Sequence, residues 1–363
     1  MIILSDFWDI YQERLFPAVE NAINEPLTNK QKQLVFILDT VKVEHLISAP
    51  SNFGFGRRAL DRRLMARAFV AKAVYNITTT KMLVEMLHTQ YSLRLICGFE
   101  SRKSIPSEAT FSRAFKWFAA IGLGEKALDA CVREYVGDKI VTHVSRDSTE
   151  VLAREKAVKQ AKIEKPKSKR GRPSNGEVRP PKALSRLEKQ VDQTIEEAIK
   201  DLPTFCGVGC KKDTKGNSHY WTGWKAHIDW GDGQIPLSVV TTSACVHDSQ
   251  VAIPLARMTA KKVTVLYELM DAAYDAAQIR QVCESLNHVV IIDPNRRQGK
   301  FKSIEDFRAN RYKERSTAER GNSRLKDDFG LRHLRVRGHA KAHLHIMFGV
   351  LAVFADQLRH VFT

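Results

Sequence analysis

The segment 312-YKERSTAERGNSRLK-326 carries a line of polar side chains at helical spacing. Tyr312, Arg315, Glu319 and Lys326 stand at offsets of 0, 3, 7 and 14, which fall on one narrow face of a helix with 3.6 residues per turn. A helix stripe is usually apolar and buried, or mixed and solvated. This one combines a phenol, two cations and a carboxylate, which suits phosphodiester chemistry on nucleic acid. The segment therefore predicts a helix that delivers a functional site.

A second stripe on the same segment predicts how that helix is anchored. Ala318, Leu325 and Phe329 lie about a quarter turn from the polar face and can pack on a core. One edge of the helix is expected to dock, while the other faces a ligand.

Composition favours a polyanionic partner. The chain has 363 residues, enough for about two domains, and it carries a formal net charge of +17. It is 43% apolar and 27% charged, a globular balance with room for a core. Nucleic acid is the commonest polyanion, although a generically basic soluble protein has the same composition.

Cysteine usage indicates a reducing compartment. Six cysteines without a framework spacing favour the cytosol over secretion. The pair Cys206 and Cys210, followed by His219 and His227, makes a zinc site conceivable, but the spacing departs from the common C-x2-C pattern. No apolar run reaches membrane-spanning length, so we expect a soluble intracellular protein without a membrane partner.

Residues 1–135 are predicted to form a helical region that binds DNA ends. Its clearest helix begins near 106-PSE-108 and buries an aromatic stripe. The members of that stripe are Phe111, Phe115 and Phe118. On the other side, Arg113 and Lys116 either contact DNA phosphates or are simply solvated.

Residues 136–363 alternate strands and helices, which predicts an α/β domain: an RNase H-like mixed sheet with flanking helices. The predicted strands are 139–147, 220–230, 235–242, 262–270 and 288–292. Helices are predicted at 249–260 and 272–287, followed by the helix of the polar stripe and a buried C-terminal helix.

A basic insertion at about 154–190 interrupts this domain. Between positions 154 and 189, thirteen Lys and Arg face four Asp and Glu, a net charge of +9. Such a segment predicts a flexible excursion. Lys169, Arg170 and Arg172 resemble an AT-hook, a short arm that enters A·T minor grooves. A solvated linker is the alternative, and we favour phosphate contact without sequence reading.

Three acids are placed to share divalent ions. Asp147 is expected to close the first strand and Asp271 the strand after the crossover helix, so adjacent pairing would bring them together. Glu319 then reaches in from the later helix. Clustered carboxylates repel unless cations lie between them. The predicted cofactor is therefore Mg²⁺, as two ions, with Mn²⁺ as the alternative.

Other acids in the chain are interpreted as turn or cap residues, the commoner role of an isolated acid near a strand end. These are Glu150, Asp248, Asp275 and Asp293.

Several blocks in the same order resemble one protein family, the bacterial DDE-class insertion-sequence transposases of the IS4/IS5 superfamily. The segment 312–326 resembles their Y-(2)-R-(3)-E-(6)-K signature. The blocks 147-DST-149 and 271-DAAYD-275 resemble their first and second aspartate blocks. The segment 221-WTGWKAH-227 looks like their second strand, and 247-HDS-249 like the turn before the crossover helix. The resemblance covers roughly residues 60–355.

The resemblance implies roles for the site residues. Asp147, Asp271 and Glu319 would be the catalytic metal ligands, while Arg315 and Lys326 would grip phosphates with support from Tyr312. Metal-activated water would cut a strand at the element's end, and the freed 3′-hydroxyl would attack target DNA. The implied partners are double-stranded DNA, as terminal inverted repeats and target, and a second copy of the chain in a homodimer on DNA. The implied location is the bacterial cytoplasm, in association with the nucleoid.

Two alternatives stay open. An RNase H-like nuclease that cuts without joining would use the same acids, and a catalytically idle DNA-binding descendant would keep only the basic surface. Two features depart from the family pattern. Only 48 positions separate Asp271 from Glu319, so a large insertion found in some relatives is missing, and the basic excursion follows the first aspartate instead. The end-processing route, hairpin or otherwise, therefore stays open.

Overall fold

The computed structural model describes residues 11–50, 60–159, 183–212, 215–293 and 306–362. The central part of the basic insertion, including Lys169, Arg170 and Arg172, lies outside these residues, so its predicted DNA contact stays a prediction. Within the described ranges, no helix combines the length and apolarity that crossing a membrane requires.

The described residues up to Tyr135 are mainly helical, as predicted. Thr28 caps one of them with a capping box, in which its side chain and that of Gln31 each accept a hydrogen bond from the other's backbone N–H. The helices are α1 (Phe16–Ile23), α2 (Asn29–Val41), α3 (Arg62–Val74), α4 (Thr80–Thr89), α5 (Tyr91–Ile96), α6 (Glu108–Ala120) and α7 (Leu123–Tyr135). The predicted aromatic stripe of α6 is buried, and its rings pack around Phe69 of α3.

A six-stranded mixed sheet follows, in agreement with the predicted RNase H-like fold. Its strands are β1 (Ile140–Leu152), β2 (Gly207–Lys212), β3 (Ser218–Gly231), β4 (Ile235–Ser243), β5 (Thr264–Met270) and β6 (Val289–Ile292). The order is β2-β3-β1-β5-β6, and β4 pairs with the second half of β3. Strands β1, β5 and β6 run parallel, and β3 is antiparallel to β1.

Helices cover both faces of the sheet. The remaining helices are α8 (Arg186–Asp192), α9 (Ile195–Lys200), α10 (Ser249–Ala260), α11 (Ala277–Ser285), α12 (Asp306–Tyr312), α13 (Ser316–Asp327) and α14 (His339–Phe362). On one face, α10 and α11 share an apolar cluster with β5 and β6. On the other face, α13 and α14 join the sheet to the N-terminal helices in one continuous core.

Helix α14 is the predicted buried C-terminal helix, and it ties the regions together. It packs against α2, α3, α6 and α7 as well as β4. The apolar positions expected on its buried face are all at most 3% exposed: Leu344, Ile346, Met347, Val350, Leu351 and Phe354. Asp356, also buried, accepts hydrogen bonds from Gln33 of α2 and Arg324 of α13. The helical region and the sheet therefore share their interior.

The first strand is longer than predicted. Asp147 was expected to close it, but β1 continues to Leu152. The reason is its pairing, because every position from Ser145 to Leu152 is matched by a residue of β3. Asp147 therefore lies inside a strand with paired backbone on its β3 side.

The polar-stripe segment is not one continuous helix, so that part of the prediction is wrong. Helix α12 ends at Tyr312, residues Lys313–Arg315 form a 3-10 turn, and α13 begins at Ser316. The turn is held to the sheet because the Ser145 hydroxyl donates to the Glu314 carbonyl at 3.2 Å. Glu319 and Lys326 keep their helical spacing on α13, whereas Arg315 belongs to the turn before it.

The segment after β5 also differs from its prediction as one helix from 272 to 287. It opens with a 3-10 turn over Ala272–Tyr274, and α11 begins only at Ala277. The Asp271 carboxylate accepts a hydrogen bond from the Ala273 N–H at 2.9 Å, which stabilises the tight turn. This turn keeps the Asp271 side chain at the end of its strand.

Candidate functional site

The two aspartates are brought together by strand register. The parallel ladder between β1 and β5 pairs Ser145 with Leu269. Two residues further along each strand, Asp147 and Asp271 therefore stand side by side at the carboxyl end of β5. Side chains alternate between the faces of a sheet, so Asp147 shares the face of Ser145, against which α13 packs.

Helix α13 brings Glu319 to the same place. It approaches β3 closely because Gly321 has no side chain, and a Cβ at that position would stand 2.7 Å from the Trp230 indole. One residue later, Asn322 accepts a hydrogen bond from Trp230 Nε1 at 3.3 Å and donates to Asp147 Oδ2 at 3.0 Å. A buried tryptophan therefore sets the position of the helix relative to the first aspartate.

One guanidinium stands among the three acids. Arg315 Nη1 donates to Glu319 Oε1 at 2.9 Å. Its Nη2 lies 3.8 Å from Asp147 Oδ1 and 3.7 Å from Asp271 Oδ2. Because both aspartate oxygens are close to the same nitrogen, the two carboxylates cannot be further apart than the sum of those distances. Three side chains from three separate elements thus surround a single cation.

Burial disfavours the charged form of the two aspartates. It raises the pKa of Asp147 to about 6, even though Arg315 and a hydrogen bond from the Ser148 N–H act in the opposite direction. Burial likewise raises the pKa of Asp271, against the hydrogen bond from Ala273 and the charge of Arg315. The negative charges of Asp271 and Asp248 also raise the pKa of Asp147. The charge of Asp248 likewise raises the pKa of Asp271. Extra positive charge at this place would therefore be stabilising.

The donor set suits a hard divalent cation. Asp147, Asp271 and Glu319 offer only carboxylate oxygens, which are the ligands that Mg²⁺ and Mn²⁺ prefer. Across the described ranges, no three His, Cys, Asp or Glu side chains already stand close enough to chelate one ion, because the Arg315 guanidinium separates the acids. The chemistry of the residues fits such an ion, and Glu319, with 63% of its side chain exposed, is the carboxylate with most freedom to move.

The other predicted residues of the polar stripe flank the acids. Lys326 lies two turns along α13 from Glu319 and pairs with Glu150 of β1 at 3.5 Å. Tyr312 lies at the end of α12, where burial raises its pKa to about 12. The structure thus places Tyr312, Arg315, Glu319 and Lys326 along one side of the site, although they do not share one helix.

Two residues near the acids were missed or misjudged from the sequence. Asp248 was interpreted as a turn residue, but it makes no cap hydrogen bond to α10 and pairs instead with Lys225 Nζ at 2.9 Å. The negative charge of Asp248 raises the pKa of Asp147 and of Asp271. Asn322 was not singled out, although it stands three residues after Glu319 and so on the same side of a helix. The spacing of three residues from Glu319 was therefore the sequence feature that could have identified Asn322.

Substitution of Gly321 by alanine tests the approach of α13. Alanine normally stabilises a helix interior relative to glycine by up to about 1 kcal/mol. Here we expect the reverse, a lower melting temperature, since the Cβ would push α13 away from Trp230. The measurement is thermal unfolding. The control is Ser323→Ala on the exposed side of α13, and a Gly321→Ala protein as stable as the control would contradict this account.

Comparison with protein families gives two matches. Residues 195–355 match a model described as a transposase DDE domain, and residues 23–117 match a model described as a transposase domain (DUF772). The first range contains Asp271, Glu319 and all strands except β1. The second takes in most of the N-terminal helices. No curated protein and no solved structure matches the chain significantly.

Proposed function

The chain is a transposase of the DDE class, and from that premise we propose that it cuts DNA at the ends of a mobile element and joins the freed 3′-hydroxyl to target DNA. The observation that carries the proposal is the convergence of Asp147, Asp271 and Glu319 around one guanidinium. These acids come from a strand, a strand end and a helix. Three carboxylates stand against one guanidinium here, and the surplus negative charge favours the binding of a divalent cation.

In the proposed reaction, the three carboxylates hold two Mg²⁺ ions, with Mn²⁺ as the alternative. When bound, such a pair lowers the pKa of a water or a 3′-hydroxyl and stabilises the leaving oxygen of an in-line displacement. The contribution of the protein is to keep the carboxylates fixed. Asn322 orients Asp147 through one of its two oxygens, and the Ala273 N–H orients Asp271.

The cations beside the acids are proposed to hold DNA. Arg315 would exchange its carboxylate partners for a phosphate, since its side chain is 17% exposed beside the three acids. Lys326 would contact the same strand further along α13, and Tyr312 would support the grip of Arg315. The basic insertion, with Lys169, Arg170 and Arg172, is proposed to add contacts to the backbone that do not read sequence.

Two element ends must be brought together before joining, so we propose a homodimer on DNA. Its DNA partners are the terminal inverted repeats and the target duplex. The protein would then act at the bacterial nucleoid.

A strand-joining assay tests the function directly. The purified chain is incubated with duplexes that carry the inverted repeats flanking its gene and with a supercoiled target plasmid, in Mg²⁺, Mn²⁺ or EDTA. We expect nicks at the repeat ends and joined products in either metal, and neither in EDTA. The matched control is a pre-cut end whose terminal 3′-hydroxyl is replaced by hydrogen, which should bind but not join.

The outcomes separate the alternatives. Cleavage without joined products would favour a hydrolytic nuclease over a transposase. Binding of repeat DNA without cleavage in any metal would favour an idle DNA-binding protein. Joining that survives loss of the 3′-hydroxyl would contradict the proposed chemistry.

A further inference from the structure

A basic cavity of about 620 Å³ lies between the N-terminal helices and the segment that joins α13 to α14. Its size is that of a small-molecule site. The floor is aromatic, formed by Phe69, Phe115 and Phe348, with the rings of Phe69 and Phe348 stacked at 5.7 Å. The acids of the candidate site do not line this cavity, which is therefore a separate feature of the molecule.

The charge of the cavity is strongly one-sided. Among its lining residues, one carboxylate, Glu108, faces six cations: Lys72, Lys81, Arg154, Arg335, Arg337 and Lys341. In the part of the chain that the structure describes, none of the six forms an ion pair. By contrast, the buried Nζ of Lys262 pairs with Asp129 at 2.6 Å. A concentration of unpaired positive charge around a cavity favours an anionic ligand.

Among these cations, Lys72 gives the strongest indication of an anionic ligand. It lies on α3 beside the aromatic floor, and burial lowers its pKa to about 8. The nearby His345 supplies no negative charge, and its Nε2 lies 2.9 Å from the Gly330 carbonyl oxygen. A partly buried lysine without a carboxylate partner costs folding free energy. An anion bound in the cavity would remove that cost.

The cavity lies beyond the end of α13 that is further from the acids. Glu319 is in the first turn of α13, which runs about 12 Å to Asp327, roughly three to four nucleotide steps. Lys326 stands near the end of that path, and Gly330 already lines the cavity. Cations around the rim suit a phosphate, and the apolar floor suits a base that has left its stack.

We propose that this cavity binds one unpaired nucleotide of the DNA strand, with its phosphate at Lys72 and the basic rim and its base on the aromatic floor. The proposal rests on the proposed function for the identity of the strand. It assigns the N-terminal helices a direct part in holding a DNA end that is opened near the site of cleavage.

The experiment compares two duplexes of equal length, one fully paired and one frayed at its end by mismatches, with 2-aminopurine among the unpaired bases. Lys72→Met removes the charge and keeps the side-chain length. We expect it to weaken binding of the frayed duplex about tenfold and to abolish the 2-aminopurine fluorescence change, with little effect on the paired duplex. The melting temperature should stay the same or rise, because an unpaired buried charge is lost.

Lys341→Met, which changes a lining residue of α14, provides a second variant with the same expected discrimination. The matched control is Lys126→Met, an exposed lysine of α7 outside the cavity. Equal weakening on both duplexes would indicate a phosphate contact alone and overturn the proposal. So would unchanged binding by both cavity variants, or binding of free dAMP as tight as that of the frayed duplex. If the wild-type chain bound neither duplex, the proposed function itself would fall.

Discussion

Replacing Asp271 with asparagine is expected to abolish strand cleavage while leaving duplex binding intact. Asparagine keeps the shape of the side chain, and its carbonyl oxygen can still accept the hydrogen bond from the Ala273 N–H. The turn after β5 should therefore survive. The negative charge is lost, however, and with it one of the proposed ligands of the divalent ions. For a residue acting as part of a catalytic unit, a fall of roughly 10³-fold or more in cleavage rate is expected.

The same result is expected for Asp147→Asn, because both aspartates contact the same guanidinium nitrogen. Neither change should destabilise the fold, since burial raises the pKa of both carboxyls and a neutral side chain avoids that cost. Cleavage, binding of repeat DNA and melting temperature are measured on each variant. Asp275→Asn, four residues along the chain and paired with Arg280, is the matched control.

Loss of DNA binding and thermal stability together with cleavage would contradict the catalytic role proposed for Asp271. If Asp271→Asn weakened DNA binding and thermal stability as much as cleavage, the aspartate would be a structural residue of the turn. A cleavage rate close to that of the Asp275 control would also remove Asp271 from the catalytic set.

The meeting of the two aspartates was within reach of the sequence, on the condition that their two strands pair side by side. The period-two pattern of β1 places Ser145 and Asp147 on one face, and the structure has both facing α13 and the turn before it. Likewise, helix α10 has the predicted bounds, and the hairpin of β3 and β4 turns at Gly231, Asp232 and Gly233 as expected. These features depend on local patterns, which a single sequence contains.

The interruption before α13 could not be predicted in the same way. Its helical spacing is intact in the sequence, and the 3-10 turn is held by a hydrogen bond between Ser145 and Glu314, which are far apart in the chain. Asp248 was misjudged for a similar reason, because its partner Lys225 belongs to another strand. Long-range contacts of this kind override local propensity. The basic cavity is a further example, since its cations come from four separate segments.

The position of Asp147 also depends on the opposite face of β1, where Arg146 is buried. Its guanidinium donates to both oxygens of Asp229, through Nε at 2.8 Å and Nη2 at 2.9 Å, and its Nη1 donates to Glu268 at 2.7 Å. Thr259 donates to Asp229, and the Nδ1 of His288 lies 2.6 Å from Glu268. This cluster joins β1 to both of its neighbours, β3 and β5, and so supports the register that aligns Asp147 with Asp271.

Arg146→Met is therefore expected to destabilise the protein by about 3–5 kcal/mol, because it leaves two carboxylates buried without their cation. Since whole domains are stable by about 5–15 kcal/mol, this loss removes a large part of the free energy of unfolding. Denaturant unfolding followed by circular dichroism measures the change. The control Arg133→Met removes an exposed arginine from α7 and should shift stability by less than about 0.5 kcal/mol.

A variant that replaces the whole cluster distinguishes the cost of an unpaired charge from a need for the ion pair itself. With Arg146→Met, Asp229→Leu and Glu268→Leu combined, no buried carboxylate lacks its cation, and apolar side chains of similar volume often restore stability. We expect the triple variant to be more stable than Arg146→Met alone. If its cleavage rate nevertheless stays low, the cluster acts on the reaction by setting strand register. A triple variant less stable than the single one would show that the polar network, and not merely charge balance, holds β1 between its neighbours.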